Sequence, residues 1–533
     1  MDRINKIFPG LRESYSFFAL LFFCMIFIIF KISILNTPFF YDEAWVYAPA
    51  IREMAKDGIS LLPNALSDSY SRGHPLLFFT AGAIWVKLFG GSFISMHSFA
   101  LTIAIGFVIA LFYVVKNIFD STVALIAASI TLVQPIFVAQ SIFVLPEIFL
   151  SLWTILALYH FVRGNRYWYF LFATCMVLTK ESGTIVIVSI LLYQAICLFA
   201  NKIIWKSLKL FLQDSMFAFL PIFSFLIFLG IQHYQRGYYF FPEHISLLNF
   251  NWNDFQYRLQ FCYNYTFELQ GRIFFTWSFL IAFALFYKPI PKFIRFFIAI
   301  GLMMCVRIFF KHGILSDWQV NLFIGLFAAV FYYFMHIKYA NEGKYSNKML
   351  ASIFIIGILY LIFCAVNVFT NRYLFLFIPL MIVYFSYYVK ESLRYFAFLP
   401  YVWGTLLMSV ILYGIFFHYK DNGLGDDSPN YVQGVKLEKN IIGYLEQQNL
   451  QKDTIDCAFT VNAALKNKDM GYLSGASFTH IVGKIYMKPK YVVYTNVDYD
   501  SLWEKGSDTL AHFHIIKKFE YGAANGKIFE RNF

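Results

Sequence analysis

Residues 15–35 read YSFFALLFFCMIFIIFKISIL, a run that is almost entirely apolar. A helix of about 20 apolar residues is long enough to cross the hydrocarbon core of a bilayer. Basic residues precede the run and no small-residue cleavage site follows it, so it predicts an uncleaved first membrane span rather than a signal peptide. This stretch assigns the chain to the helical membrane proteins.

The composition of the whole chain agrees with this assignment. Of its 533 residues, 59% are apolar and only 14% are charged, whereas soluble domains have about 45–50% apolar and about 25% charged residues. Such a chain cannot cover a water-facing surface, which excludes a secreted or cytosolic enzyme and a disordered scaffold.

Further apolar runs predict about twelve more spans. They lie at 93–115, 119–139, 147–163, 167–182, 183–200, 209–232, 273–288, 293–310, 317–337, 349–369, 373–389 and 396–418. The shorter run 75–89 is predicted to lie flat at the outer interface, because only then do the Lys- and Arg-rich loops fall on the cytoplasmic side. An odd number of spans then places the C-terminal part outside.

The net charge of +12 is confined to the apolar part, since residues 419–533 hold 14 basic and 14 acidic side chains. Topology explains this excess better than a nucleic-acid partner, which would require a basic patch on the soluble part. The division predicts a transmembrane catalytic domain at 1–418, with outer loops at 36–92 and 233–272, and an extracytoplasmic domain at 419–533.

The C-terminal part is predicted to be a small α/β domain. Residues 435–448 place apolar side chains on one helical face, and β-rich runs follow at 454–460, 490–496 and 512–520. The segment 420–430 is a linker rich in Gly, Asp and Asn. The fold class is therefore an α-helical polytopic membrane protein with this domain appended. Cys262 and Cys457 lie in polar segments, and whether they pair is left open.

The first outer loop, FFYDEAWVYAPAIREMAKDG at 39–58, holds the first candidate catalytic residues. Asp42 and Glu43 stand at the start of a predicted helix, where carboxylates either cap the helix or take part in chemistry. The loop ends in Arg72 and His74, just before the flat helix.

Other candidates fall at the outer ends of later spans. Glu147 either caps its helix or faces a polar cavity, since ionisable groups in spans are costly. Lys180 lies on the outer side against the charge bias, and either pairs with a carboxylate or binds substrate. Further candidates are Glu243 and His244, which could ligate a metal, together with Arg272, Arg372 and Tyr373. Carboxylates and cations on one membrane face suit a general base beside an anionic leaving group.

This pattern resembles a known family. An acidic pair in the first outer loop, a Pro-led interfacial helix, an acidic residue at the fourth span, TKE, an x-E-H element and NRYL resemble the GT-C membrane glycosyltransferases. The similarity is to the protein O-mannosyltransferase and aminoarabinose (4-amino-4-deoxy-L-arabinose) transferase superfamily, glycosyltransferase family 39 and relatives, and covers residues 1–418.

The resemblance implies transfer of a sugar, with inversion, from a polyprenyl-phosphate donor to a protein, lipid or glycan acceptor outside the bacterial plasma membrane. Asp42 matches the catalytic carboxylate and Glu147 the second acidic position. Lys180, Arg272 and Arg372 would hold the donor phosphate or line the cavity.

The chain also departs from the family pattern in the residues that precede the interfacial helix. The family's metal-ligating Glu is replaced by Gly73 and its Lys by His74, so no cofactor is expected to be required, although a divalent metal at His244 is an option. His97 replaces a common Arg. Two further functions stay open, a transporter or flippase of lipid-linked glycan and a non-catalytic assembly factor. Transport is disfavoured because the charges gather at one face instead of the midplane.

Overall fold

The computed structural model describes residues 9–200, 205–246, 251–286, 345–367, 370–394, 398–415, 423–482, 489–497 and 512–532. Helices dominate the part before residue 416. They are named in chain order as α1 (Pro9–Ile32), α2 (Ala48–Asp57), α3 (Asp68–Ser71), α4 (Leu77–Phe89), α5 (Phe93–Ile118), α6 (Ser121–Leu132), α7 (Pro135–Gln140), α8 (Glu147–Arg163), α9 (Arg166–Thr179), α10 (Gly183–Ala200), α11 (Trp205–Arg236), α12 (Pro242–Ser246), α13 (Trp252–Phe267), α14 (Arg272–Phe286), α15 (Tyr345–Val366), α16 (Phe377–Ser392) and α17 (Leu399–Tyr413).

Shorter turns of helix connect some of these elements. A π-helical turn at Glu43–Tyr47 leads into α2, and 3-10 turns lie at Pro63–Ala65 and Asn371–Leu376. Among the described residues, five helical segments are long and apolar enough to cross a membrane. They are Tyr15–Ile32, Phe93–Ile118, Leu212–Arg236, Tyr345–Val366 and Asn371–Ser392. The chain is therefore a mostly helical integral membrane protein.

The predicted apolar runs overlap described helices wherever the two can be compared. Two departures have local causes. The run 119–139 was predicted to be one span, but α6 ends at Leu132 and α7 begins at Pro135, because the residue before a proline is pushed out of the helical region. The run 373–389 begins in the 3-10 turn before α16. The runs 293–310 and 317–337 lie outside the described residues.

Helix α4 corresponds to the short run predicted at 75–89, although it begins two residues later. It packs on α2 through Gly82, where an added Cβ would stand 2.5 Å from Ile51 Cδ1. Its other side exposes Ile84, Leu88 and Phe89. An isolated helix of 13 residues is too short to cross a bilayer, so this geometry is compatible with an interfacial position.

The C-terminal part is a small α/β domain with a five-stranded sheet. Its elements are α18 (Tyr431–Gln447), β1 (Ile455–Cys457), α19 (Phe459–Lys466), β2 (Ile481–Val482), β3 (Tyr491–Thr495), β4 (Phe513–Tyr521) and β5 (Ala524–Arg531), with 3-10 turns at Leu450–Lys452 and Lys468–Met470. The strand order is β2-β1-β3-β5-β4, with β1 parallel to β2 and β3 and with β5 antiparallel to β3 and β4.

The predicted amphipathic helix is confirmed as α18, whose apolar face packs on β4 and β5. All five side chains predicted on that face are buried, namely Val435, Leu437, Ile441, Ile442 and Leu445. The predicted strand 454–460 was too long, since β1 ends at Cys457 and α19 begins at Phe459. Cys262 and Cys457 are both free thiols.

The segment 39–58 packs directly against the C-terminal domain. The Phe39 amide donates a hydrogen bond to the Met470 carbonyl at 3.0 Å, and the Tyr41 hydroxyl donates one to the Val497 carbonyl at 2.9 Å. The Tyr431 ring lies 4.6 Å from that of Phe143, between centroids. The C-terminal domain therefore covers the segment that carries the candidate catalytic carboxylates.

Candidate active site

A strained turn presents the first carboxylate. Tyr41 has a backbone φ of +51°, in the left-handed region that residues other than glycine rarely adopt. The π-helical turn follows directly, a rare geometry that is frequent at functional sites. Asp42 lies between these two features, and its Oδ1 accepts a hydrogen bond from Trp45 Nε1 at 3.0 Å. Its side chain is 26% exposed, so it remains accessible.

Arg372 brings together carboxylates from three separate segments. It lies in the 3-10 turn Asn371–Leu376 and is buried, with 4% of its side chain exposed. Its Nη2 binds Asp42, its Nη1 binds Asp426, and its Nε lies 3.3 Å from Glu147 Oε1. A buried guanidinium needs such partners, because an unpaired buried charge costs several kcal/mol, roughly 3–5.

Lys180 provides a second cation at the same place. Its ammonium lies 2.9 Å from Glu147 Oε1 and 3.8 Å from the centroid of the Tyr373 ring. Glu147 begins α8 and is buried, and its Oε2 has no hydrogen-bond partner among the described residues. We call this group of side chains the Arg372 cluster, which consists of Asp42, Glu147, Lys180, Arg372, Tyr373 and Asp426.

The ionisation of Asp42 follows from its neighbours. Burial opposes the charged form, but the Arg372 guanidinium and the Trp45 hydrogen bond outweigh this and hold the pKa of Asp42 below its usual value. Asp42 is therefore a carboxylate at neutral pH and is able to accept a proton. Its basicity would rise if Arg372 turned towards another anion.

Glu43 occupies a different position from Asp42, although the two are adjacent in sequence. It is fully buried, and its Oε1 lies 3.1 Å from His97 Nε2 and accepts a hydrogen bond from the Val144 amide at 2.9 Å. Its Oε2 accepts one from the Phe40 amide at 3.3 Å. These contacts tie the first loop to the segment before Glu147, which gives Glu43 the geometry of a positioning residue.

A second group of charges lies beside the first, and we call it the His74 cluster. It consists of Arg72, His74, Glu181, Glu243 and His244. His74 Nδ1 lies 3.0 Å from Glu181 Oε2, and the rings of His74 and His244 are 5.2 Å apart. Arg72 pairs with Glu243 at 3.7 Å and lies over the Trp45 ring at 5.4 Å. Trp45 thus links the two clusters.

Local charges shift two groups of the His74 cluster. Burial opposes ionisation of Glu181, but His74 outweighs it and lowers the pKa of Glu181 to about 2. Burial, together with the nearby His74 and Arg72 side chains, lowers the pKa of His244 to about 4. His244 is therefore neutral at physiological pH.

The hydrogen bonds that Arg272 donates go to residues outside both clusters. It is fully buried, and its Nε bonds the Tyr265 carbonyl at 2.8 Å. Its Nη1 bonds Gln270 Oε1 at 3.0 Å and Gln134 Oε1 at 3.3 Å. These contacts fasten the turn between α13 and α14 to the segment before α7.

Comparison with known families gives one match. Residues 73–228 match the family model for dolichyl-phosphate-mannose-protein mannosyltransferases. This segment includes Glu147 and Lys180 of the Arg372 cluster. The match confirms the resemblance to the GT-C membrane glycosyltransferases, although it spans less than a third of the chain. No curated protein matches the chain.

Several solved structures align with most of this chain. ArnT from Cupriavidus metallidurans in the apo state is 11% identical with a TM-score of 0.46, and the alignment covers 97% of this chain and 98% of that one. The same protein bound to undecaprenyl phosphate is 12% identical, with a TM-score of 0.41 and coverage of 95% and 97%. Archaeoglobus fulgidus AglB, in complex with an inhibitory peptide and a dolichol-phosphate, is 15% identical, with a TM-score of 0.46 and coverage of 87% and 64%. Likenesses at this level assign no residue role.

A metal at His244 and Glu243 is not favoured by the side chains around them. Glu243 is paired with Arg72, a cation that would repel a metal ion. Among the described residues, no three His, Cys, Asp or Glu side chains converge as a metal centre requires. The contacts observed in the His74 cluster include the pairs Arg72–Glu243 and His74–Glu181.

Sequence reasoning missed Asp426, which it had assigned to a linker. Asp426 is 8% exposed and binds Arg372 directly. The sequence signal was weak, since two adjacent aspartates in a Gly-rich segment are typical of a solvated loop.

Proposed function

We propose that this protein is a membrane glycosyltransferase that uses a polyprenyl-phosphate sugar as donor and an acceptor on the extracytoplasmic side. One observation carries the proposal. Arg372 joins the accessible carboxylate of Asp42 to the buried carboxylate of Glu147, with Lys180 alongside. A general base next to cations that suit a phosphate leaving group is the arrangement that such a transfer needs.

In the proposed reaction, an acceptor hydroxyl attacks the anomeric carbon of the donor sugar while Asp42 takes the hydroxyl proton. The bond between the anomeric carbon and the phosphate oxygen breaks, and the polyprenyl phosphate leaves with the electron pair. Attack from the face opposite the phosphate inverts the anomeric configuration. Arg372 and Lys180 would stabilise the negative charge that develops on the leaving phosphate.

Donor binding would also activate the base. In the resting protein Arg372 holds Asp42 as a weakly basic carboxylate. A donor phosphate is a competing anion for the same guanidinium, whose fork suits phosphate oxygens. Once a doubly charged phosphate shares the Arg372 guanidinium with Asp42, Asp42 loses part of its stabilisation and becomes a stronger base.

The other members of the two clusters have supporting roles in this proposal. Glu147 fixes the two cations, and Tyr373 lies against Lys180. Arg72 and His74, both members of the His74 cluster, would line the path by which the donor phosphate enters. The outward orientation rests on the Lys and Arg distribution of the loops.

The test is complementation of a strain that lacks the protein, with mass spectrometry of its envelope glycans. Wild type should restore one missing sugar, and Asp42→Asn should fail, because removal of a general base lowers the rate by about 10²–10⁴-fold. Asp57→Asn is the matched control, since Asp57 is an exposed carboxylate at the end of α2. Normal glycans with Asp42→Asn at wild-type protein levels would refute Asp42 as the base. If the envelope glycans of the deletion strain contain every sugar found in wild type, the proposal that the protein is a glycosyltransferase is refuted.

A further inference from the structure

The linker that precedes the C-terminal domain crosses the Arg372 cluster. Gln140 Nε2 donates a hydrogen bond to the Asp426 carbonyl at 2.7 Å, and Asn371 Nδ2 donates one to Asp427 Oδ2 at 2.7 Å. Gln270 Nε2 bonds the Asp427 carbonyl at 3.2 Å. Three separate segments of the helical part therefore hold the linker over the site, two through its backbone and one through the Asp427 side chain.

The Asp426 side chain takes a place that a substrate anion would need. Its Oδ2 binds Nη1 of Arg372, and the residue is 8% exposed. The other guanidinium nitrogens of Arg372 face Asp42 and Glu147. The Nε of Arg372 makes no hydrogen bond, but carboxylates bind both of its Nη nitrogens, so a phosphate can bind an Nη only if a carboxylate leaves.

We propose that Asp426 is an internal substitute for the donor phosphate, and that the phosphate of a polyprenyl-phosphate donor displaces its carboxylate from Arg372. The inference rests on the proposed function, because it assumes that Arg372 receives the donor phosphate. In the resting protein the carboxylate of Asp426 binds Nη1 of Arg372, although Asp42 and Glu147 already balance the charges of Arg372 and Lys180. On donor binding, the phosphate takes over that contact.

Asp426 is the carboxylate of the three that leaves at the lowest cost. Glu147 is also held by Lys180, and Asp42 is also held by Trp45. Asp426 lies on an irregular linker, and the hydrogen bond that Gln140 donates goes to its backbone, so the side chain can rotate away without loss of that contact. Burial also disfavours its charged form and raises the pKa of Asp426 to about 6.

The test is direct binding of undecaprenyl phosphate to the purified full-length protein in detergent. Asp426→Asn keeps the size of the side chain but removes the competing charge, so binding should become about tenfold tighter. Asp426→Glu keeps the negative charge of wild type and should bind undecaprenyl phosphate nearly as weakly as wild type. Asp453→Asn is the matched control, because it removes one negative charge from a surface pair with Lys490 in the same domain.

The outcomes separate the two proposals. Unchanged or weaker binding by Asp426→Asn, with wild type binding and Arg372→Gln not binding, would overturn the inference and leave the donor site intact. Asp426 would then only position Arg372. Failure of wild type and all variants to bind undecaprenyl phosphate would overturn the proposed function and the inference with it.

Discussion

Two buried arginines lie near the ends of helices, and they differ in what holds them. Arg372 faces the carboxylates of Asp42, Glu147 and Asp426. Arg272 donates its hydrogen bonds to the Tyr265 carbonyl and to the side-chain oxygens of two glutamines. The resemblance to the GT-C membrane glycosyltransferases implies for both arginines that they hold the donor phosphate or line the cavity.

The comparison shows how partners determine the use of a buried cation. Carboxylates around Arg372 can be exchanged for another anion, because the guanidinium keeps a charged partner throughout. The oxygens that accept these hydrogen bonds from Arg272 belong to backbone and amide groups that fix a turn, and loss of the arginine would leave them unsatisfied. We therefore expect Arg372 to act on substrate and Arg272 to act on the stability of the fold.

The largest expected difference concerns catalysis. Arg372→Gln should lower glycosyl transfer by about 10²-fold or more, since removal of one preorganised group at a developing charge has effects of this size. Arg272→Gln should lower it much less. Transfer rates of the two variants, measured at equal amounts of folded protein, check this. A larger loss with Arg272→Gln would reverse the roles assigned to the two arginines.

The second difference concerns stability. Arg272→Gln should destabilise the protein by about 1–3 kcal/mol, because the buried carbonyl of Tyr265 loses its charged donor. Thermal unfolding in detergent should therefore begin at a lower temperature than in wild type. Arg166→Gln is the control, because Arg166 forms a surface pair with Asp214, and such pairs contribute about 0–1 kcal/mol. Equal unfolding temperatures for the two variants would contradict the structural role assigned to Arg272.

The smallest expected effect is a pH dependence at Arg372. Asp426 is charged above about pH 6 and neutral below it, so its competition with phosphate should fade as the pH drops. The charged groups that face it are Arg372, Asp42, Asp427 and, across the guanidinium, Glu147. Arg372 keeps its charge in this range.

The measurement is undecaprenyl phosphate binding by wild type and Asp426→Asn between pH 7.5 and pH 5. The affinity ratio should shrink from about tenfold to about twofold as the pH falls. Protonation of the phosphate itself, which occurs at a pKa of about 6 for a phosphate monoester, affects both proteins alike and cancels in the ratio. A ratio that stays constant would show that the charge of Asp426 plays no part.

Much of the fold follows from local sequence. Run length and apolar content predicted the helices, since a helix buries or exposes a stripe set by its own residues. The face of α18 was predicted for the same reason. The positions at which helices are interrupted were harder to predict from the sequence. The end of α6, for example, depends on Pro135 and on the buried, extended Gln134 before it.

The candidate site was only partly accessible from sequence. Asp42, Glu147, Lys180 and Arg372 were each singled out, yet nothing local shows that they meet. Glu43 and Asp42 were treated alike because they are adjacent, whereas the fold buries Glu43 against His97 and leaves Asp42 on Arg372.

The sequence by itself determined that this protein is a helical membrane protein with isolated charges near one set of helix ends, because hydrophobicity and periodicity act over a few turns. Only the tertiary structure decided the partner of each charge. The pair of Asp42 and Arg372 spans 330 residues of sequence, and Asp426 reaches the site from a linker. Such contacts depend on how distant segments pack, and low-dielectric burial then makes each pairing decisive.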